Sequence, residues 1–261
     1  MNLEVRHVHK AFRSRWGDTL ALRDMSFSVP SGEFLCLLGP SGCGKSTALA
    51  LLAGLEMPDR GQVLQDGVPV TGPGSDRVVI FQEAALFPWL NVMDNAAFGL
   101  EAAGVGRKER QARAMEQLRL VGLERFGKAS VHELSGGMKQ RTALARALAI
   151  NPQVLLMDEP FAALDAQTRD RLHGELQDIW LRTRKTIIFV THNVREALVL
   201  GDRILLMSAR PGTIKRQYTF DLPRPRAMEE HRLVDAAREI LTDLRVETEK
   251  EQEELYAQLA D

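Results

Sequence analysis

The chain has 261 residues, of which 44% are hydrophobic and 26% charged, with a formal net charge of −1 at pH 7. This composition is typical of a globular protein with one large or two small domains. The near-neutral charge gives no general electrostatic reason to bind nucleic acid. The apolar runs are far shorter than the roughly 20 residues of a membrane-spanning helix. Because the N-terminus MNLEVRHVHK lacks the apolar core of a signal peptide, we expect a cytoplasmic protein.

The first 70 residues carry the alternating pattern of strands. In residues 3–10, Leu3, Val5, His7 and His9 alternate with charged or larger neighbours, which predicts an edge strand. Met25, Phe27 and Val29 alternate with serines and predict a second strand of a half-exposed sheet. Further on, Asp66-Gly67 lies between short apolar segments, which predicts a hairpin turn.

Between these strands, the segment LLGPSGCGKSTAL (37–49) predicts a phosphate-binding loop. It follows an apolar run (34–38), read as a buried strand, and leads into a predicted helix (46–55). The loop fits the pattern G-x-x-x-x-G-K-[ST]. Its glycines let backbone N–H groups face an anion at the positive end of the helix dipole. The predicted binding residues are Gly39, Pro40, Ser41, Gly42, Cys43, Gly44, Lys45, Ser46 and Thr47. Lys45 would reach the outer phosphates, Ser46 would bind Mg²⁺, and Thr47 an inner phosphate.

The rest of the chain alternates strand and helix patterns. Short apolar runs at 78–81, 154–157, 187–191 and 204–207 predict buried strands, and Leu172, Leu176 and Ile179 have helical spacing. Alternating strands and helices around a phosphate loop indicate a parallel α/β core. The helix-rich segment from about 90 to 150, where Met115, Leu118 and Val121 precede Gly122, predicts a helical subdomain.

A C-terminal extension follows the prolines of LPRPR (222–226), which predict a linker or turn. Leu233, Ala237, Leu241 and Leu244 have helical spacing. The acidic stretch 247–261 favours a solvated amphipathic helix.

Two carboxylates end the predicted strand VLLMDEP (154–160). Asp158 could hold Mg²⁺ directly or through water, and Glu159 could polarise a water for attack on a γ-phosphate. An acidic pair can also cap a following helix. In combination with the phosphate loop, the catalytic interpretation is favoured.

A second glycine cluster opens another strong helix in ELSGGMKQRTALARALA (133–149). Ser135 has the chemistry of a helix N-cap, and the N–H groups of Gly136 and Gly137 could hold another anion. The alternative is an ordinary well-capped surface helix.

The segment LSGGMKQR resembles the signature of the ATP-binding-cassette (ABC) family, and the resemblance extends to about residue 220. It implies an α/β fold: a P-loop NTPase core with a mixed or parallel sheet, an N-terminal antiparallel β subdomain and an α-helical signature subdomain. The cassette would span 1–222, with a helical extension at 223–261. It also implies ATP hydrolysis with Mg²⁺, in a head-to-tail dimer where Ser135, Gly136 and Gly137 of one copy close over nucleotide held by the other.

The same resemblance assigns further residues. Gln82 looks like the glutamine that touches Mg²⁺ and the attacking water, and Asp165 in ALDAQ looks like the D-loop aspartate at the dimer seam. His192 looks like the histidine that contacts the γ-phosphate. Phe12 fits the position of the ring that stacks on adenine, and Trp16 is the alternative. Two departures are Ala162, where glycine is common, and the absence of tyrosine-proline before the signature.

The family hosts several functions. The signature helix disfavours a kinase or GTPase. A cassette protein acting on DNA or ribosomes is disfavoured because the chain has a single cassette and no long coiled coil. This leaves the ATPase of a membrane transporter, and an exporter or another transport system stays an alternative. The segments FPWLNVMDNAAFGL, ALDAQTR and MSARPGTI resemble the nitrate, sulfonate and taurine importer group.

In that group the cassette works with other proteins. The crowded apolar residues from Leu86 to Leu90, directly after Gln82, predict a docking surface for the integral membrane permease subunits. A substrate-binding protein would act with the complex indirectly. The expected location is therefore peripheral, on the cytoplasmic face of the inner (plasma) membrane.

Overall fold

The computed structural model describes residues 1–15, 17–226 and 231–260, and the side chains of 1–15, 17–226 and 233–250. These residues form two compact units, one of Met1–Gly74 with Arg184–Asp261 and the other of Ser75–Thr183. The division into a cassette (1–222) and an extension (223–261) stays a prediction.

The secondary structure alternates strands and helices after an N-terminal run of strands. The strands are β1 (Leu3–Ser14), β2 (Gly17–Val29), β3 (Phe34–Leu38), β4 (Arg60–Gln65), β5 (Val68–Pro69), β6 (Arg77–Ile80), β7 (Val154–Asp158), β8 (Thr186–Thr191), β9 (Arg203–Met207) and β10 (Ile214–Thr219). The α-helices are α1 (Lys45–Ala53), α2 (Val92–Ala102), α3 (Arg107–Leu120), α4 (Gly136–Ala149), α5 (Ala166–Thr183), α6 (Val194–Leu200) and α7 (His231–Ala260).

An antiparallel sheet in the first unit has the order β2-β1-β4-β5. Leu3 is the partner of Val29 on one side and of Gln65 on the other. The prediction that residues 3–10 form an edge strand is therefore wrong, because alternation reports a buried face and carries no signal for how many neighbours a strand has. The predicted hairpin is confirmed, since Asp66 and Gly67 both have positive φ (47° and 81°) between β4 and β5.

Parallel pairing forms the core of the first unit. Strand β3, with all five residues buried, pairs in parallel with both β8 and β9, and β10 pairs antiparallel to β9. The predicted strands at 34–38, 187–191 and 204–207 are thus confirmed. Helix α1 follows β3 through the predicted phosphate loop and contacts β8.

The second unit combines a parallel strand pair with helices. Strand β6 pairs with β7, with Ile80 opposite Met157, and α2 packs on α3 and α4. The predicted helical spacing is confirmed in α5, where Leu172, Leu176 and Ile179 are buried. The predicted strand at 78–81 is confirmed as a strand but is wrong in burial and at its end: Val78 and Val79 are half-buried, β6 stops at Ile80, and Phe81 is 50% exposed. An apolar run does not show where strand pairing ends.

Helix α7 packs on α6 in the first unit. Within residues 233–250 of this helix, Leu233, Ala237, Ile240 and Glu247 are buried, whereas Leu241 is 53% exposed. The predicted helical spacing therefore departs from the buried face at Leu241, because the neighbouring Ile240 is the buried residue. Glu247 also contradicts a fully solvated acidic end, because a carboxylate can be buried where it has partners. Along the described parts of the chain, we find no helix with the length and apolarity needed to cross a membrane.

Candidate nucleotide-binding site

Lys45 is the first residue of α1, directly after the loop that joins β3 to this helix. Its side chain is buried, and its Nζ donates hydrogen bonds to the carbonyl oxygens of Gly39 (2.9 Å) and Pro40 (2.6 Å). The loop therefore curls around the ammonium group. A lysine held in this way, at the N-terminus of a helix, is suited to phosphate binding.

Glycine is required at Gly44, which caps α1 with φ +96°. A Cβ at this residue would come within 2.7 Å of the Leu22 side chain and 2.9 Å of the Ala21 carbonyl oxygen. Both the backbone conformation and the lack of space exclude a side chain. The helix begins properly beyond it, since Ala48 N–H donates to Gly44 O at 2.9 Å.

His192 follows β8 at the same edge of the sheet at which the phosphate loop follows β3. Leu38 of β3 is directly opposite Thr191 of β8, so Gly39 and His192 are the next residues of two adjacent parallel strands. The backbone here is braced by buried Glu196, which accepts the Thr191 hydroxyl, while Thr191 Oγ1 accepts Asn193 N–H at 2.9 Å. His192 is exposed. The sequence predicted His192 as a site residue, but it did not predict that Glu196 would hold the backbone beside it.

The predicted adenine-stacking ring, Phe12, is 40% exposed on β1. The Nζ of Lys10 lies 5.2 Å from the ring centroid, a cation–π distance. Trp16, the alternative, lies outside the described residues. The ring of Phe12 is accessible for stacking.

In the second unit, the predicted catalytic carboxylates end strand β7. Asp158 is its last residue, and Glu159 has a positive φ of 44°. Both side chains are half-buried. A left-handed conformation costs a non-glycine residue energy and is concentrated at functional sites. The strained backbone at Glu159 therefore supports a functional role.

Gln82 follows β6 at the same edge, since Ile80 pairs with Met157. The Gln82 carbonyl oxygen accepts a hydrogen bond from Gln140 Nε2 of α4 at 2.7 Å. Arg146, also on α4, donates to the carbonyl oxygens of Ala85 (2.8 Å) and Ala84 (3.0 Å), and burial lowers its pKa. Helix α4 thus holds the loop that follows Gln82. Neither helix residue was predicted, because a polar residue on a helix has no sequence signal for such a partner.

The glycine cluster forms the first turn of α4, and Ser135 caps this helix as predicted. The Ser135 Oγ accepts Met138 N–H at 3.3 Å. A Cβ on Gly136 would lie 3.1 Å from Leu164, and one on Gly137 would lie 2.8 Å from the Thr168 methyl. These glycines therefore allow close packing against the start of α5.

Asp165 caps the segment beside these glycines. Its Oδ1 accepts Thr168 N–H at 2.9 Å. Hydrogen bonds from the Thr168 backbone and hydroxyl hold the pKa of Asp165 below its ordinary value. Asp165 therefore stays ionised, next to the segment that packs on Gly136 and Gly137. Ala162, the departure from glycine, donates its backbone N–H to Glu159 O at 3.1 Å.

The predicted docking segment presents one prominent side chain. Trp89 is 75% exposed, whereas Leu86, Phe87 and Leu90 are half-buried. The Phe87 ring lies 5.4 Å from Trp89 and 4.2 Å from Phe98 between centroids. The predicted cluster is thus partly exposed, and Trp89, which packs on the Phe87 ring, is its most exposed large apolar side chain.

Buried Asn95 of α2 fixes this segment. Its Oδ1 accepts Phe87 N–H at 2.8 Å, and its Nδ2 donates to the carbonyl oxygens of Phe87 (3.1 Å) and Leu90 (3.2 Å). A buried amide whose donors and acceptor are all used rigidifies a loop. Sequence reasoning missed Asn95, which looks like an ordinary helix residue.

Comparison with known proteins identifies the family. Residues 22–162 match the family model described as ABC transporter. A nitrate import ATP-binding protein of Synechocystis sp. is 49% identical over 85% of this chain and 84% of its own length. A taurine import ATP-binding protein of Burkholderia pseudomallei is 51% identical over 84% of this chain and 85% of its own.

Solved structures agree with this assignment. A dimeric ATP-binding cassette in a post-hydrolysis state, bound to ADP and Pi, has a TM-score of 0.74 at 31% identity over 86% of this chain and 99% of that one. CbiO1 from Clostridium perfringens is part of the cbiONQ ABC transporter complex. It has a TM-score of 0.76 at 26% identity, and the match covers 89% of this chain and 92% of that one. The chain belongs to the ABC transporter family. It is the ATP-binding, ATP-hydrolysing subunit of such a transporter.

Proposed function

We propose that the chain powers the import of small anions such as nitrate, sulfonate or taurine. The names of its relatives and the segments 87–100 and 207–214 support this class. The observation that carries the catalytic part is the pairing of Leu38 with Thr191, which brings the phosphate loop and His192 to one edge of a sheet. A lipid transporter, another export system or a non-transport cassette is the alternative.

The phosphate loop is proposed to bind ATP. The backbone N–H groups of Gly39 and of residues 41–44 would surround the phosphates, Lys45 would contact their outer oxygens, and Phe12 would stack on adenine. Ser46, Gln82 and Asp158 offer hydroxyl, amide and carboxylate oxygens, the donor set that Mg²⁺ prefers. Bound Mg²⁺ would neutralise phosphate charge.

Hydrolysis is assigned to Glu159. Its carboxylate would accept a proton from the attacking water, the role of a general base. Gln82 would orient that water, and His192 would contact the γ-phosphate. The strained backbone of Glu159 and the braced backbone beside His192 support these roles.

A second copy of the chain is the proposed partner at the nucleotide. Ser135, Gly136 and Gly137 of one copy would close over the nucleotide of the other, with Asp165 at the seam. The packing of Gly136 and Gly137 on the segment around Asp165 supports a single surface carrying both elements.

The membrane permease subunits are the proposed partners of Leu86–Leu90, with a substrate-binding protein acting indirectly. Trp89 is the proposed anchor, because exposed aromatic residues dominate interface energetics. The protein would then lie peripherally on the cytoplasmic face of the inner membrane. Cargo would be selected by the partners, so the substrate is assigned only to a class.

Two variants test the separation of binding from hydrolysis. Glu159→Gln should bind ATP like the wild type but lose about 10²–10⁴-fold in hydrolysis with the membrane partner. Lys45→Ala should weaken ATP binding itself. Glu116→Gln, an exposed carboxylate on α3, serves as the control and should change neither. Near-normal turnover in Glu159→Gln would remove its role, and equal ATP affinity in Glu159→Gln and Lys45→Ala would contradict the separation.

A further inference from the structure

Helix α7 buries a carboxylate against a loop. Glu247 is 1% exposed, and its Oε2 accepts Ala209 N–H at 3.1 Å. Its Oε1 lies 2.9 Å from Lys250 Nζ and 3.6 Å from Lys215 Nζ. Burial raises the pKa of Glu247, but the hydrogen bonds from Lys250 and Ala209 outweigh it and leave the pKa below its ordinary value. The group is therefore a carboxylate at neutral pH that holds the backbone at Ala209.

The loop 207–213 lies directly against the phosphate loop. The Arg210 Nε donates to Gly42 O at 3.2 Å. Gly212 approaches so closely that a Cβ would lie 2.1 Å from Cys43 O. A Cβ on Gly39 would lie 3.2 Å from the Met207 Cβ. The 207–213 loop thus packs against three residues of the phosphate loop, Gly39, Gly42 and Cys43.

Hydrogen bonds fix the conformation of the 207–213 loop. Ser208 Oγ accepts Thr213 N–H at 3.0 Å and donates to Pro211 O at 3.1 Å. Gly212 N–H donates to Ala21 O at 2.9 Å, and Arg23 N–H to Gly212 O at 3.0 Å. A stiff loop anchored at one end transmits the position of that anchor to the residues it contacts. Ala209, held by Glu247, is next to Arg210, which contacts Gly42.

We propose that Glu247 is a positioning residue for nucleotide binding, through which the C-terminal helix sets the shape of the phosphate loop. The proposal rests on the proposed function of residues 39–47 as the ATP site. Loss of Glu247 leaves Ala209 N–H buried without its acceptor and frees the 207–213 loop to shift. The contact of Arg210 with Gly42 then weakens, and with it the arrangement of backbone N–H groups around the phosphates.

The test measures Mg-ATP affinity of the full chain by titration calorimetry, at a temperature where thermal unfolding shows every variant to be folded. Glu247→Ala should weaken binding by at least about fivefold, the lower end of typical coupling between sites. Glu247→Gln keeps an acceptor oxygen for Ala209 and should restore most of the affinity. Glu249→Ala, an exposed neighbour on the same helix, should match the wild type.

A double variant separates positioning from a general structural role. If both residues act through one loop, Glu247→Ala combined with Arg210→Ala should weaken binding less than the product of the two single effects. Wild-type affinity in folded Glu247→Ala, or independent effects in the double variant, would overturn the proposal. Lys45→Ala is the reference: if it also binds ATP normally, the ATP site itself is misassigned, whereas lost binding in Lys45→Ala alone refutes only the role of Glu247.

Discussion

Two glycine-rich helix starts, the phosphate loop before α1 and the signature segment before α4, use glycine for different reasons. In the phosphate loop, Gly42 and Gly44 have φ of 71° and 96°, and the loop curls around a buried lysine. Gly136 and Gly137 have ordinary helical geometry and lie at the start of α4. Glycine suits these two positions because Leu164 and Thr168 pack against them and leave little room for a side chain.

The difference teaches that the same sequence pattern can serve conformation in one place and contact in another. A loop that needs left-handed backbone cannot accept any side chain without strain. A helix start that needs only space can accept a side chain if its neighbour moves. The two sites should therefore respond differently to one added methyl group.

The largest expected effect is that of Gly44→Ala. The left-handed conformation and the contact with Ala21 O together should lower the free energy of unfolding by about 2–5 kcal/mol and weaken ATP binding. Gly67→Ala is the matched control, because Gly67 has φ +81° but open space around it. Chemical denaturation gives both values; an equal loss in the two variants would show that close approach at Gly44 contributes nothing.

Gly137→Ala should have a smaller effect. Alanine favours the helix by about 0.5–1 kcal/mol, but the contact with the Thr168 methyl opposes this gain, and we expect a net loss of about 1 kcal/mol. Gly174→Ala, in α5 with nothing within 4 Å, should instead gain stability. Denaturation curves of the pair test this, and a gain in both variants would refute the packing role of Gly137.

The smallest effect on the isolated subunit is expected for Trp89→Ala. The side chain is 75% exposed, so ATP affinity should not change and the free energy of unfolding should fall by less than about 1 kcal/mol. Assembly with the permease should weaken by about 2 kcal/mol or more. Phe126→Ala, another exposed aromatic residue of the second unit, is the control for co-purification, and unchanged assembly in Trp89→Ala would remove the docking role.

Strong local patterns predicted most of the fold. Local sequence patterns predict several features directly: the strands β3, β7, β8 and β9, the hairpin at Asp66-Gly67 and the Ser135 cap. The errors at β1, Phe81 and Leu241 concern pairing or the direction of a face, which depend on distant neighbours.

The supports of the site were not predictable for the same reason. Gln140, Arg146 and Glu247 bind backbone groups distant in sequence, whereas Asn95 binds the backbone of the loop just before its own helix. Nothing in a single polar residue on a helix identifies a backbone partner far along the chain. The phosphate loop and the strand-end residues were found because their chemistry is concentrated in a few adjacent positions.

The most direct test of the account asks whether the signature segment acts on nucleotide held by another copy. Glu159→Gln with Mg-ATP should form a dimer in size-exclusion chromatography with light scattering, because hydrolysis can no longer release it. Adding Ser135→Arg in the same chain should give a monomer that still binds ATP. A dimer that survives Ser135→Arg, or a monomer that loses ATP binding through it, would contradict the assignment of the two glycine-rich loops to different copies.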